Sequence, residues 1–282
     1  MKSTCRLCDS ESKKIITKES HSGLIYTIAK CNNCSLIYIL ETYNNISPDY
    51  VNRNIVNDNL VWLQGTHKIK AYNQLCNLNI INKSFSKLKN ILDVGCGTGG
   101  WLSYLKDNKI GQNYFGFDAS TIQVNYANKK FKNIREAYSI DEYLNKINNQ
   151  SLNFDLITLW DVLEHIRKPK PFLESLVGKL NVGGIIYVSV PAAFPMRTKN
   201  ILKHVGYPGF TWHPHEHVIY FSPKTINYLF NKINCLKVVK VGAVKVYNRP
   251  LSLFEFFRRV GFKSLENFPS LSPQIFLVAI KE

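Results

Sequence analysis

The chain is 282 residues long, 45% apolar and 12% aromatic, enough for one large α/β domain or a medium domain with a small one. It carries 36 Lys+Arg against 20 Asp+Glu, a formal charge of +16, which points to an anionic partner. That composition excludes a disordered chain, and no internal repeat or low-complexity tract is present.

Apolar runs such as 184–190 and 275–280 are strand-length, far below the roughly 20 residues a membrane helix needs. The start, with Lys2, Cys5, Arg6 and Cys8, lacks the apolar stretch of a secretory signal. The expected location is the cytoplasm, where paired cysteines serve metal or redox chemistry before disulfides. The charge is uneven. Residues 1–89 carry 12 basic and 6 acidic groups, 90–190 carry 11 and 10, and 191–282 carry 13 and 4.

Residues 1–42 read as a small metal-binding module. Cys5-x-x-Cys8 and Cys31-x-x-Cys34 have the spacing of a tetrahedral four-thiolate zinc site, with short strands at 24–28 and 35–38. A redox pair or free thiols is the competing reading. So polar a segment buries too little core to fold alone, so the metal would supply its stability. Such a closed site is structural and not catalytic. His21 and His67 are further candidate ligands, but four cysteines complete the shell; Cys76 and Cys235 read as buried fillers. Residues 43–88 read as a linker containing an amphipathic helix over 58–78.

From residue 89 onward, strands and helices alternate. Strands are expected at 90–94, 114–117, 154–159, 184–190, 236–241 and 275–281, with helices at 101–107, 120–130, 169–180 and 224–233. This alternation implies a parallel sheet covered by helices on both faces. The segment 191–222, rich in Pro, Gly and aromatics, is irregular.

The first of these strands runs into Asp93-Val94-Gly95-Cys96-Gly97-Thr98-Gly99-Gly100. Its glycines permit a tight turn and close approach of a ligand, and they also satisfy a dinucleotide-binding pattern. Asp93 favours another cofactor. A carboxylate there repels a pyrophosphate but holds an α-ammonium group. Asp118, ending the second strand, suits the two hydroxyls of a ribose. Phe154 to His165 is a strand entering an acidic turn, Trp160-Asp161-Val162-Leu163-Glu164-His165.

Together these three motifs resemble the class I S-adenosylmethionine-dependent methyltransferases over roughly residues 88–282. The resemblance implies a Rossmann-like, seven-stranded methyltransferase sheet preceded by a zinc-ribbon-like module. It implies that Asp93, Gly95, Gly97 and Gly99 line the methionine end of S-adenosyl-L-methionine, that Asp118 binds ribose, and that Trp160 and Asp161 close over the cofactor. For adenine, the candidate segment is 135–139.

On the acceptor side lies Trp212-His213-Pro214-His215-Glu216-His217-Val218-Ile219-Tyr220-Phe221. The zinc module, the methyltransferase motifs and Glu216-His217-x-x-Tyr220-Phe221 together resemble the nucleotide-sugar methyltransferases, especially the C-methyltransferases of deoxy-keto sugars. That resemblance implies His217 as a base and Glu216 as its partner. The chain is well over a hundred residues shorter than the three-domain members, and Pro214 stands where they commonly place a Tyr. Without the resemblance, His213, His215 and His217 alternate as on one face of a strand, and their competing readings are a metal site or simple packing.

The basic residues 191–282, including Arg197, Lys199, Lys203, Lys245, Arg249, Arg258 and Arg259, fall on this acceptor side. They suit a nucleoside-diphosphate sugar or a related glycan precursor, methylated at carbon or oxygen. Another anionic small molecule and RNA are the alternatives, and a zinc-ribbon nucleic-acid binder is the non-enzyme reading. No RNA-binding module is recognisable. Four thiolates with zinc would lower the net charge to about +14.

Overall fold

The computed structural model describes residues 4–41, 88–193, 212–243 and 274–282. The helix expected over 58–78, His67, Cys76 and the basic residues Arg197, Lys199, Lys203, Lys245, Arg249, Arg258 and Arg259 lie outside them.

The amino-terminal segment forms β1 (Lys13–His21), β2 (Leu24–Cys31) and β3 (Ile37–Ile39). Ser22 and Gly23, both at positive φ (51° and 78°), turn β1 into β2. That two-residue mirror-image turn matches the strands' own twist. β1 was not expected as a strand, because Lys13, Lys14, Lys18 and Glu19 break its apolar alternation; it is the outer strand, and most of it is solvated.

The larger layer begins with β4 (Asn90–Val94), followed by α1 (Gly100–Asp107), β5 (Asn113–Asp118), α2 (Thr121–Ala127), β6 (Ile134–Glu136), α3 (Ile140–Lys146) and β7 (Phe154–Trp160). A 3₁₀ turn at Leu163–His165 precedes α4 (Pro169–Gly178) and β8 (Leu180–Pro191). The chain ends with β9 (Ile219–Tyr220), α5 (Pro223–Phe230), β10 (Leu236–Ala243) and β11 (Gln274–Lys281).

Seven strands form one sheet in the order β10-β11-β8-β7-β4-β5-β6. The five strands from β8 to β6 pair in parallel, while β11 pairs antiparallel with both β8 and β10. The expected seven-stranded, largely parallel sheet is present, with β11 running against its neighbours. Alternation of apolar runs reports strands and helices but not the direction of the last two strands. Two short elements, β6 and α3, also went unforeseen. Ser139 caps α3 through the Glu142 N–H, and Asp141 and Glu142 in its first turn complement the helix dipole.

Strand β9 pairs with β3, Tyr220 opposite Ile37, so the amino-terminal sheet takes its fourth strand from the far end of the chain. A bridge from Phe221 to Ala192 ties the same segment to the end of β8. Cys5, Leu7 and Tyr38 share one buried cluster with Val188, Phe221 and Leu229. Among the described residues, no helix is long and apolar enough to cross a membrane.

Candidate functional site

In an open α/β sheet, ligands gather beyond the carboxyl ends of the parallel strands. The ends of β4, β5 and β7 bring Asp93, Asp118 and Trp160 there. The glycine loop follows β4, with Gly95, Gly97 and Gly99 all at positive φ (66°, 54° and 77°). A Cβ on Gly95 would stand 2.4 Å from Val162 Cγ2, and one on Gly97 2.6 Å from Gln123 Oε1. At Gly95 a side chain would meet Val162 in a strained backbone conformation, at Gly97 the movable end of Gln123, and Val162 folds the 160–165 turn against the loop.

Asp118 braces this loop. Its Oδ2 accepts the Gly97 N–H at 2.9 Å and its Oδ1 the Ser120 N–H at 2.8 Å. Burial raises its pKa above the usual carboxylate range against these hydrogen bonds. Asp93 is 1% exposed and accepts the Thr158 hydroxyl at 2.7 Å. Burial pushes its pKa up to about 8, opposed by Thr158 and reinforced by the Asp118 charge. A carboxyl so poised lacks a cation, which an α-ammonium group would supply.

Trp160 packs edge-on against Trp101, ring centroids 5.3 Å apart, and tilted against Tyr187 at 4.1 Å. The Nε1 of both tryptophans is buried without a hydrogen-bond partner. Asp161 holds positive φ (54°), a strained conformation for a residue with a Cβ. Gln274 fixes it, donating to Asp161 Oδ1 at 2.6 Å and to Ser189 Oγ at 2.9 Å. Neither Gln274 nor Ser189 was visible as a site residue, since 113 residues separate Gln274 from Asp161. The segment 135–139 spans the end of β6 and the residues after it, and the Ala137 N–H donates to the Asp118 carbonyl at 3.0 Å.

On the acceptor side, residues 214–216 form a turn, not the strand that the alternating histidines suggested. Both the Glu216 and His217 N–H groups donate to the His213 carbonyl, at 3.0 and 2.8 Å. The Glu216 carboxylate pairs with His215 Nε2 at 2.8 Å. His217 instead faces His165, ring centroids 5.0 Å apart, and the ligand atoms of Glu164, His165 and His217 lie within 4.8 Å of one another. Burial, then the neighbouring His165, His213 and His215, lower the His217 pKa to about 3, so its ring is neutral at physiological pH. Sequence reasoning missed Glu164, although it stands in the motif already singled out. It is 1% exposed, a burial that acidic residues rarely show unless paired.

The four amino-terminal cysteines converge. Cys5 and Cys34 sulfurs are 3.5 Å apart, Cys8 and Cys31 sulfurs 3.6 Å, and all four lie within 4.8 Å of one another. Four sulfurs at about 2.3 Å from a central zinc would be spaced about 3.8 Å apart, so the set fits. No disulfide joins them. The Cys34 thiol and burial push the Cys5 thiol up.

A family model described as "Methyltransferase domain" matches residues 69–240. The chain belongs to this family. Its domain has the class I S-adenosylmethionine-dependent methyltransferase fold. A mitochondrial ubiquinone biosynthesis O-methyltransferase of Schizosaccharomyces pombe is 34% identical over 111 residues, 36% of this chain and 37% of that protein. The chain thus spans well under half the length of that curated relative. Among solved structures, a SAM-dependent methyltransferase from Archaeoglobus fulgidus superposes with TM-score 0.52 at 18% identity, covering 79% of this chain and 97% of the other. Magnesium protoporphyrin IX methyltransferase from Synechocystis PCC 6803, with bound SAH, gives TM-score 0.53 at 14% identity, covering 85% and 100%. These two show that the methyltransferase shares their fold.

Proposed function

We propose that the methyltransferase transfers a methyl group to a hydroxyl of a small anionic acceptor, with His217 receiving the hydroxyl proton. The observation that carries this reading is the neutral, half-buried His217 ring set against Glu164 and His165, beside the turn that packs on the glycine loop. S-adenosylmethionine supplies an electrophilic methyl on a sulfonium. Asp93 pairs with its ammonium group, Gly95, Gly97 and Gly99 give its methionine end room, Asp118 accepts from the ribose hydroxyls, and Trp160 and Asp161 cover it.

As the acceptor oxygen forms its bond to the methyl carbon and the carbon–sulfur bond breaks, its proton passes to His217. The Glu164 carboxylate, within 4.8 Å, is placed to offset the burial and neighbouring rings that disfavour the imidazolium at rest. In this arrangement Glu164 takes the partner's place, while the Glu216 carboxylate is engaged by His215. An O-acceptor agrees with the name of the yeast relative. An anionic one agrees with the basic excess of residues 191–282 and with Arg6, held near the site by its hydrogen bond to the Ile39 carbonyl at 2.9 Å. Ile39 N–H in turn donates to the carbonyl of Val218, the residue after His217.

A second reading, a nucleotide-linked sugar or related glycan precursor as acceptor, is favoured by the cysteine cluster together with Glu216-His217-x-x-Tyr220-Phe221. We further propose that Cys5, Cys8, Cys31 and Cys34 hold a structural Zn2+, that 1–42, 43–88 and 89–282 are the module, linker and catalytic domain, and that the protein works in the cytoplasm. The acceptor is tested by incubating the protein and S-adenosylmethionine with phenolic acids, nucleotide sugars and RNA and following methyl gain by mass spectrometry. Methylation of a phenolic acid or sugar hydroxyl supports the reading; methylation of RNA alone overturns it.

A further inference from the structure

We propose that the His213–Glu216 turn holds a second transition-metal ion, ligated by His213, His215 and Glu216 and separate from the four-cysteine cluster. Pro214 fixes its own φ in the turn. The two N–H groups donated to the His213 carbonyl fold the chain back, so that residues 213 and 216 come to one side. One ligand atom from each of the three residues then lies within 4.8 Å of the others, with His215 Nε2 and Glu216 Oε1 only 2.8 Å apart.

Two imidazoles and one carboxylate are the donor set of a three-ligand zinc site, which keeps a position open. Magnesium and calcium prefer all-oxygen surroundings, so the set selects a borderline divalent ion such as zinc. His21, at the end of β1, stacks on His215 with centroids 3.7 Å apart and planes 4° apart, and fixes the plane of that ligand. Such support from outside the ligand shell is what holds a ligating ring in register. Glu216 is the sole carboxylate in the sequence from 191 to 254, so a dication here has one anionic ligand and retains positive charge. Its open position would take an anionic oxygen.

The neighbouring set Glu164, His165 and His217 is a poorer host. Its one carboxylate, Glu164, is sealed at 1% exposure. In the turn, by contrast, the His215 and Glu216 side chains are 25% and 22% exposed. The metal site stands independently of His217's part in the reaction.

The test uses the full chain without an affinity tag, loaded with zinc, dialysed into metal-free buffer and analysed for metal per chain. The expected result is two equivalents, falling to one in His213→Ala, in His215→Ala and in Glu216→Gln, with S-adenosylmethionine binding retained as evidence of folding. Cobalt loading separates the two sites: the cysteine site gives intense thiolate-to-metal absorption, and the second equivalent adds only weak d–d bands. A single equivalent carrying all the thiolate absorption overturns the proposal. So does a second equivalent that survives His215→Ala and is lost on His165→Ala.

Discussion

Thr158 donates its hydroxyl to the buried Asp93 carboxylate at 2.7 Å, across the pairing of β7 with β4. One neutral donor does not offset the burial, and the Asp93 pKa stands near 8 against an ordinary value of 3.8. The folded protein therefore holds a proton that the unfolded chain has released between about pH 4 and pH 8. Asp93 makes stability fall as pH rises through that window. Pairing with the ammonium group of S-adenosylmethionine should lower this pKa and expel the proton. Calorimetry at pH 7 in two buffers of different ionisation enthalpy should show proton release on binding, and Asp93→Asn should abolish it and weaken binding. Equal heats in both buffers would exclude the pairing.

Gly95→Ala places a Cβ 2.4 Å from Val162 Cγ2 at a φ of +66°. Backbone strain alone costs about 1–2 kcal/mol. The expected outcome is a lower thermal midpoint together with lost cofactor affinity. Trimming the obstacle as well, in Gly95→Ala/Val162→Ala, should recover stability only in part, because the φ strain remains.

Gln274→Ala removes the donor that holds Asp161 in its strained conformation. Turnover should fall roughly tenfold, with folding stability changed by about 1 kcal/mol. Restored turnover in Gln274→Asn would argue against a requirement for this reach.

Chelating the four-cysteine metal, or Cys8→Ser, should lower the thermal midpoint of the whole protein and not melt the amino-terminal sheet alone. The reason is structural: Cys5, Leu7 and Tyr38 are buried in the same cluster as Phe221 and Leu229, and β3 pairs with β9. Scanning calorimetry with and without chelator checks this. Two separate transitions would contradict a shared core.

Much of this molecule was legible where a residue type has one physical use. Glycines at 95, 97 and 99 announced positive φ, and Asp93, next to last in β4, and Asp118, last in β5, were placed at the carboxyl ends of their strands. The cysteine spacing announced convergence, and the sulfurs do converge. What stayed hidden depends on pairing between distant segments. Nothing local shows that Gln274 reaches Asp161, that β11 runs antiparallel to β8, or that Glu216 turns to His215 while His217 packs on His165. The alternation of His213, His215 and His217 misled, because Pro214 and the shared His213 carbonyl make a turn of a strand-like pattern.

The central claim is proton transfer from an acceptor hydroxyl to His217 during methyl transfer. The direct measurement incubates wild-type and His217→Ala protein with methyl-deuterated S-adenosylmethionine and the anionic hydroxylated acceptor found by the panel, following the labelled product by mass spectrometry. The account predicts one labelled methyl on oxygen with the wild type, and a rate at least about a hundredfold lower in His217→Ala at unchanged cofactor affinity. An undiminished rate in His217→Ala, or a methyl carried on carbon, would contradict it.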